Sequence, residues 1–307
     1  MPRCVRLAAL TATAALCAAA CAADDGAGET STLTVATAFY PLQYVVQRVG
    51  GDAVDVTSLT PPGAEPHDLE LAPQDLARLQ DADLVVYLSG FQPAVDEAVG
   101  QDLGPVVLDT ADSADLTLTY TALEEGDAQT DEAGSTDPHF WLDPQRLAAV
   151  AGSVEEAMAA ADPGHAATFE RNLATLRADL DELDARLHRG LADCEVTDLV
   201  TSHNAFGYLA QRYGLKQVGI AGLSPESEPS PQQLADVAAL VERDGVRTIY
   251  SETLMSPAIA QTVADETGAQ TAVLDPIEGI TDSSAGDDYL EIMRANLATL
   301  REGQQCR

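Results

Sequence analysis

The chain has 307 residues, of which 16 are Lys or Arg and 50 are Asp or Glu, so its formal net charge is −34. Its length favours two domains of ordinary size over a single core. A surface this acidic repels nucleic acid and anionic lipid, which excludes both as surface partners and favours a cationic ligand, although such acidity also serves solubility alone.

The first residues are typical of a secretory leader. Two arginines precede an Ala/Leu-rich run that is too short and too rich in alanine for a membrane span. Three alanines directly before Cys21 resemble a bacterial lipoprotein box, with alanine where leucine is more usual at its first position. We therefore predict a signal peptide over 1–20, a lipidated Cys21 as the only membrane attachment and a flexible tether over 21–32. A plain secreted protein is the alternative.

The cysteines that remain after the leader is removed predict a disulfide. Removal of the leader leaves Cys194 and Cys306 as the only unlipidated cysteines of the chain. Two cysteines in an oxidising, extracytoplasmic compartment predict one disulfide between them.

From Leu33 onward, short apolar runs alternate with amphipathic segments. In the first half, the strands LTVAT, AVDVTSLT, DLVVYLS and PVVLDT are separated by the helices YPLQYVVQRVG, PQDLARLQDA and PAVDEAVG. The second half has the strands TDLVTSH, KQVGIAG, VRTIYSE and TAVLD with the helices AFGYLAQRYG, PSPQQLADVAALVERDG, PAIAQTVADETG and DYLEIMRANLATLRE. This alternation predicts two parallel-sheet α/β domains, over 33–162 and 193–307. An acidic loop, 123–137, interrupts the first of them.

Between the two halves, one apolar stripe predicts a long helix. Residues at spacings of three and four form it, namely Phe169, Leu173, Leu176, Leu180, Leu183, Leu187 and Leu191. Such a helix has about 28 residues and is about 40 Å long. We predict a rigid linker helix over 163–192 that packs against both domains and resists wide hinge opening.

Polar side chains follow several of the predicted strands. His203, Glu252 and Asp275 each come directly after a strand of the second half, and His67 lies just past the second strand of the first half. Because ligands of α/β sheets bind at the carboxyl ends of strands, we expect these residues at one edge of their sheets. The loop after the fourth strand could bring His139 to the same edge. Three imidazoles and one carboxylate converging on an interdomain cleft suit Zn²⁺ better than Ca²⁺ or Mg²⁺.

Six motifs carry a resemblance to a known family. They are PPGAEPHDLELAPQDLARLQDADLVVY, DPHFWLDP, TSHNAFGYLAQRYGL, GLSPESEPSP, SETLMSP and VLDPIEG, and they occur in this order along nearly the whole chain after the leader. Together they resemble the zinc-binding, ZnuA-like solute receptors of bacterial ABC importers, within the zinc- and manganese-uptake family. The resemblance implies a lipid-anchored, monomeric receptor that carries one Zn²⁺ to an ABC-type permease and has no catalytic activity.

The resemblance also implies the ligands. His67 in the PHD motif, His139 in PHFWLDP and Asp275 in the late LDP match metal-ligand positions of the family. His203 stands where the zinc group has histidine and the manganese group has glutamate. The acidic loop before His139 lacks the histidines that zinc relatives often carry there, so we expect a solvated, disordered segment.

Further residues are candidates for the surroundings of the ion. Asp-Pro steps on either side of His139 narrow its backbone choices, and Trp141 with Phe140 is expected to form an apolar wall. Acidic neighbours could orient the imidazoles. The candidates are Glu65, Asp137, Trp141, Asp143 and Glu252. His165 and His188, on or beside the linker helix, are interpreted as ordinary surface or hydrogen-bonded histidines.

The sequence leaves three alternative functions open. One is a receptor for manganese or another divalent metal. Another is a zinc hydrolase with Glu65 or Glu252 as general base, but four protein ligands leave little room for a catalytic water, no G-x-S-x-G elbow is present, and Ser202 points away from His203. The third is a surface adhesin, for which the sequence offers no independent feature.

Overall fold

Parallel strands and helices alternate through both halves of the chain, as the hydrophobic pattern predicts. The structure is a computed structural model that describes residues 32–101, 104–121 and 134–307. The predicted signal peptide, Cys21, nearly all of the tether and most of the acidic loop lie outside these residues.

The first half forms a four-stranded parallel sheet with the order β2-β1-β3-β4. Its strands are β1 (Leu33–Thr37), β2 (Val54–Ser58), β3 (Leu84–Tyr87) and β4 (Val106–Asp109), and its helices are α1 (Tyr40–Gly50), α2 (Pro73–Asp81), α3 (Pro93–Val99) and α4 (Ala111–Ala114). A short 3₁₀ turn, Gly51–Ala53, leads from α1 into β2. Proline stands in the first turn of α1, α2 and α3, where its fixed φ suits a helix start and its missing N–H is not needed.

The second half forms another four-stranded parallel sheet, with the order β6-β5-β7-β8. Its strands are β5 (Asp198–Thr201), β6 (Lys216–Gly219), β7 (Thr248–Ser251) and β8 (Gln270–Val273), and its helices are α7 (Gly207–Tyr213), α8 (Pro231–Asp244), α9 (Ala258–Thr267) and α10 (Tyr289–Gly303). The two sheets thus have the same topology, which confirms the predicted α/β class and fits a duplicated fold. In both, the central strands are buried and the last strand is an exposed edge, with Val106, Val107 and Val273 open to solvent.

Two long helices lie between the sheets in the chain. The linker helix is α6 (Ala166–Gly190), inside the predicted range 163–192, and every residue of its predicted apolar stripe is buried. It packs against α1 from the first half and α10 from the second, and most extensively against α5 (Pro144–Ala161). The sequence pattern does not predict α5, because its alanine-rich sequence is only weakly amphipathic. The region from Thr32 onward forms one compact unit rather than separating at this helix.

A disulfide ties the end of the chain to the start of β5. Cys194 and Cys306 are bonded across 112 positions of sequence, which confirms the predicted pair. Cys194 lies before β5 and His203 lies after it, so the disulfide and the histidine lie at opposite ends of this strand. None of the helices among the described residues combines the length and apolar character needed to cross a bilayer.

Candidate metal centre

Three histidines and one glutamate converge on one point between the two sheets. His67, His139, His203 and Glu278 each offer a ligand atom, and these atoms all lie within 4.8 Å of one another. The side chains of His139, His203 and Glu278 are at most 1% exposed, and that of His67 is 10% exposed. Polar groups buried this deeply require a partner, so the arrangement indicates a site built for an ion.

The distances within the cluster specify the size of that ion. Oε1 of Glu278 lies 3.4 Å from Nε2 of His67, 3.2 Å from Nε2 of His139 and 3.3 Å from Nε2 of His203. The Nε2 atoms of His67 and His139 are 3.3 Å apart. In a regular tetrahedron, edges of this length place the centre about 2.0 Å from each corner, so these four distances are compatible with the usual bond length of zinc to nitrogen or oxygen.

Two atoms of the cluster have no hydrogen-bond partner at all. Nε2 of His203 and Oε1 of Glu278 are buried and unsatisfied. A buried lone pair without a donor is costly, and a cation at the centre of the tetrahedron would satisfy both atoms at once. Three nitrogens and one oxygen are a donor set that suits zinc better than the oxygen-preferring Ca²⁺, Mg²⁺ or Mn²⁺.

Strand ends bring the four side chains together. His67 lies in the loop after β2, His203 directly after β5 and Glu278 in the loop after β8, while His139 lies on the segment that follows β4 and the short helix α4. In parallel sheets these loops all leave the carboxyl edge. The predicted position of the three histidines at this edge is therefore where the structure has them.

A recurring local turn shapes the loops of the site. In the steps Glu65-Pro66-His67, Asp137-Pro138-His139 and Asp275-Pro276-Ile277, the carboxylate of the acid accepts a hydrogen bond from the N–H two residues later, at 3.0, 2.9 and 2.8 Å. We call these acid-proline turns. The proline fixes φ and removes one donor, while the carboxylate fixes the next N–H. Each turn therefore sets the direction in which the following side chain leaves the backbone.

Two carboxylates orient the imidazoles through their far nitrogens. Oδ1 of Asp137 accepts from both the backbone N–H of His139 and its Nδ1, at 2.9 and 2.8 Å. Glu252 uses both oxygens on His203, with Oε1 accepting from the backbone N–H at 3.1 Å and Oε2 from Nδ1 at 2.6 Å. A proton held on Nδ1 leaves Nε2 as a free lone pair aimed into the cluster, as metal-binding histidines require.

The electrostatics of the cluster follow from these contacts. Burial by itself would raise the pKa of Glu278, but the three imidazoles beside it outweigh burial and hold the pKa well below its usual range. Burial lowers the pKa of His67. For His203, burial acts in the same direction, yet the carboxylates of Glu252 and Glu278 outweigh it and raise the pKa well above the ordinary value. The site therefore keeps an ionised carboxylate among the imidazoles, which favours a cation.

An aromatic group closes one side of the cluster. Trp141 is fully buried, with its ring centroid 5.2 Å from that of His139 and 5.0 Å from that of Phe39. Phe91 packs edge-on against His67, with centroids 4.7 Å apart. Trp141 is more than an apolar wall, because its indole N–H donates to the carbonyl of Pro276 at 2.8 Å. That bond joins the loop of His139 in the first half to the loop of Glu278 in the second.

Comparison with known proteins identifies the family. The family model described as "Zinc-uptake complex component A periplasmic" (ZnuA) matches residues 35–303. The chain belongs to this family. The resemblance seen in the six sequence motifs is thereby confirmed.

Individual ZnuA-family relatives support the assignment. The chain is 36% identical over 279 residues to the zinc-binding lipoprotein AdcA of Streptococcus pneumoniae, covering 88% of this chain and 55% of AdcA. It is 36% identical over 280 residues to the high-affinity zinc uptake system protein ZnuA of Bacillus subtilis, covering 88% and 87%. The crystal structure of the Zn(II)-bound ZnuA-like domain of Streptococcus pneumoniae AdcA superposes with a TM-score of 0.73 at 34% identity, over 89% of this chain and 99% of that domain. The chain spans about half the length of the AdcA relatives that it matches.

Among the residues predicted as ligands, Asp275 lies outside the cluster of this ZnuA-family chain. Its Oδ1 accepts from the N–H of Ile277 and its Oδ2 from the hydroxyl of Ser284, both at 2.8 Å. The carboxylate that joins the histidines is Glu278, which the sequence reasoning missed. The signal was present, since Glu278 stands three residues later in the same quoted motif, VLDPIEG.

The other candidates have separate places. Asp143 caps α5 by accepting from the N–H of Gln145, and it also faces Arg212 at 3.3 Å rather than the imidazole of His139. Glu65 lies beside the site with Oε2 buried and unpaired, and burial together with the charge of Glu278 raises its pKa to about 8. Phe140 is buried and packs against Trp141.

The two histidines interpreted as ordinary residues lie outside the cluster. His165 bonds to Asp162 at 2.5 Å through Nδ1, and the half-exposed His188 faces Asp184 at 3.7 Å.

Proposed function

We propose that this protein is an extracytoplasmic receptor that binds one Zn²⁺ with high affinity and delivers it to an ABC-type membrane permease. The observation that carries the proposal is the buried four-atom cluster of Nε2 and Oε1 atoms from His67, His139, His203 and Glu278, in which four of the six interatomic distances are 3.2–3.4 Å. The zinc-named relatives and their matched length support it. The ion is cargo rather than a resident cofactor.

The proposed ligand set differs from the sequence-based one at a single position. The three histidines remain, and Glu278 takes the place of Asp275. Glu278 fits because its Oε1 has no other partner, whereas both oxygens of Asp275 are already hydrogen-bonded. Four protein ligands fill a tetrahedral site, which leaves no open position for the water of a hydrolase. We therefore propose binding without catalysis.

Metal analysis tests this proposal directly. The mature chain, stripped of metal and dialysed against a mixture of divalent ions, is expected to retain one Zn²⁺ per molecule and no Mn²⁺. The same preparation is expected to be inactive in a screen of ester, amide and phosphoester substrates. His139→Ala is expected to abolish tight binding, whereas His165→Ala serves as a control that leaves it intact. Retention of manganese in place of zinc would favour the manganese alternative, and hydrolysis would favour the enzyme.

We further propose that Cys21 carries a lipid that holds the receptor at the outer face of the cell membrane. The composition of the leader and the small residues before Cys21 support this location. The proposed receptor acts as a monomer. Cys21→Ser is expected to move the protein from the membrane fraction to the soluble extracytoplasmic fraction, and an unchanged distribution would contradict the anchor.

A further inference from the structure

Glu278 is presented to the cluster by an unusual stretch of backbone. The residue before it, Ile277, has φ of 58° and is fully buried. This left-handed conformation is rare for a β-branched residue and persists only where the surroundings enforce it. The direction of the Glu278 side chain therefore depends on the contacts that hold Ile277.

The peptide group between Pro276 and Ile277 is held at both of its polar atoms. Its carbonyl oxygen accepts from the indole N–H of Trp141 at 2.8 Å. Its N–H donates to Oδ1 of Asp275, also at 2.8 Å. Each bond lies in the buried interior, where the loss of either would leave an unsatisfied group.

Asp275 is itself fixed on all sides. Its Oδ2 accepts from the hydroxyl of Ser284. Its backbone N–H donates to the side-chain oxygen of Asn296 at 3.0 Å, and its backbone carbonyl accepts from the Asn296 amide at 2.7 Å. These bonds anchor the turn to α10, so that the peptide group cannot rotate without breaking several contacts at once.

We infer that Asp275 and Trp141 are positioning residues that clamp the Pro276–Ile277 peptide and thereby aim Glu278 at the metal. This inference rests on the proposed zinc site. It gives Asp275 an indirect role through the backbone, and it makes the metal affinity depend on a bond between the two halves of the protein. Neither residue needs to touch the ion.

A double-mutant experiment tests the clamp. Zinc affinity is measured by competition with a chromophoric chelator for Asp275→Ala, Asp275→Asn and Trp141→Phe, each alone and combined with Glu278→Ala. Alone, Asp275→Ala and Trp141→Phe are expected to weaken zinc binding by about 10–100-fold, the usual range for residues that orient a ligand. Asp275→Asn is expected to weaken it less, because the amide oxygen still accepts from Ile277. With Glu278 replaced, none of the three is expected to change the remaining affinity by more than about twofold.

The control is Asp162→Ala, because Asp162-Pro163-Gly164 is an acid-proline turn with the same bond, 3.1 Å long, outside the cluster. It is expected to leave zinc affinity unchanged. Circular dichroism and unfolding midpoints of the stripped proteins show whether each variant folds. If Asp275→Ala does not fold, Trp141→Phe and Asp275→Asn carry the same comparison. Equal losses with and without Glu278 would overturn the inference, whereas a wild-type protein without zinc affinity would overturn the proposed function instead.

Discussion

The replacement of Glu252 by glutamine tests how the carboxylates behind the imidazoles set the affinity. Glu252 accepts two hydrogen bonds from His203, one on each oxygen. Glutamine has the same shape but offers only one acceptor atom. If that atom keeps the bond to Nδ1, the amide NH₂ must face the backbone N–H of His203, so that two donors meet in a buried place. The change also removes the charge that raises the basicity of the imidazole.

Asp137 offers an internal comparison, because it also accepts hydrogen bonds from the backbone N–H and Nδ1 of a histidine, but with a different geometry. A single oxygen, Oδ1, accepts both bonds from His139. In Asp137→Asn the amide oxygen can keep both of them, and only the charge is lost. We expect Glu252→Gln to weaken zinc binding by about 10–100-fold, which is about 1.4–2.7 kcal/mol. We expect Asp137→Asn to weaken it by about tenfold or less.

Competition titrations of the metal-stripped proteins at one pH measure both effects. Glu182→Gln is the matched control, since Glu182 is an exposed residue of α6 that pairs with Arg186. Unfolding midpoints of the stripped variants separate loss of fold from loss of affinity. Zinc binding by Glu252→Gln as tight as that of wild type, or weaker binding by Asp137→Asn than by Glu252→Gln, would refute the proposed role of the two carboxylates.

Three further predictions follow from the site and the fold. Zinc affinity is expected to rise with pH across pH 5–8, because zinc displaces protons from the imidazoles. It is expected to keep rising above about pH 6.5, since the carboxylates beside His203 outweigh burial and raise the pKa of His203 well above the ordinary value. A flat binding profile would contradict a three-histidine site. His203→Glu is expected to narrow the preference for Zn²⁺ over Mn²⁺ mainly by weakening zinc, while His165→Ala and His188→Ala change neither affinity in competition titrations. Replacement of Cys194 and Cys306 by alanine is expected to lower the free energy of unfolding by about 2–4 kcal/mol in urea titrations without changing zinc affinity. Two reactive thiols in the unreduced wild-type protein would refute the disulfide.

The elements of the fold could be predicted because each one is encoded locally. Strands such as LTVAT and helices such as YPLQYVVQRVG carry their period and their end signals within a few residues, and the structure has them over Leu33–Thr37 and Tyr40–Gly50. The apolar stripe of α6 could be predicted equally well, because its residues recur at spacings of three and four. The helix α5 could not be predicted in this way, because its alanine-rich sequence buries many residues without a clear apolar face.

The position of the three histidines could also be predicted from the sequence. His67, His139 and His203 follow strands, and the carboxyl ends of parallel strands meet at one edge whatever the details of packing. The local acid-proline turns are encoded in the same way. An acid followed by proline fixes the next N–H without help from distant residues, as in Asp137-Pro138-His139.

Only the tertiary structure decided which carboxylate joins the three histidines in the cluster. Asp275 and Glu278 stand three positions apart in one motif, and both have the right chemistry for a metal. The choice depends on the left-handed turn at Ile277, which is held by Trp141 from the other half of the chain and, through Asp275, by Asn296 on α10. Local propensity disfavours that turn for a β-branched residue. The sequence by itself determined the strands, most of the helices, the disulfide partners and the edge where ligands gather, whereas tertiary contacts, among them one between residues 135 positions apart, determined the direction in which Glu278 points.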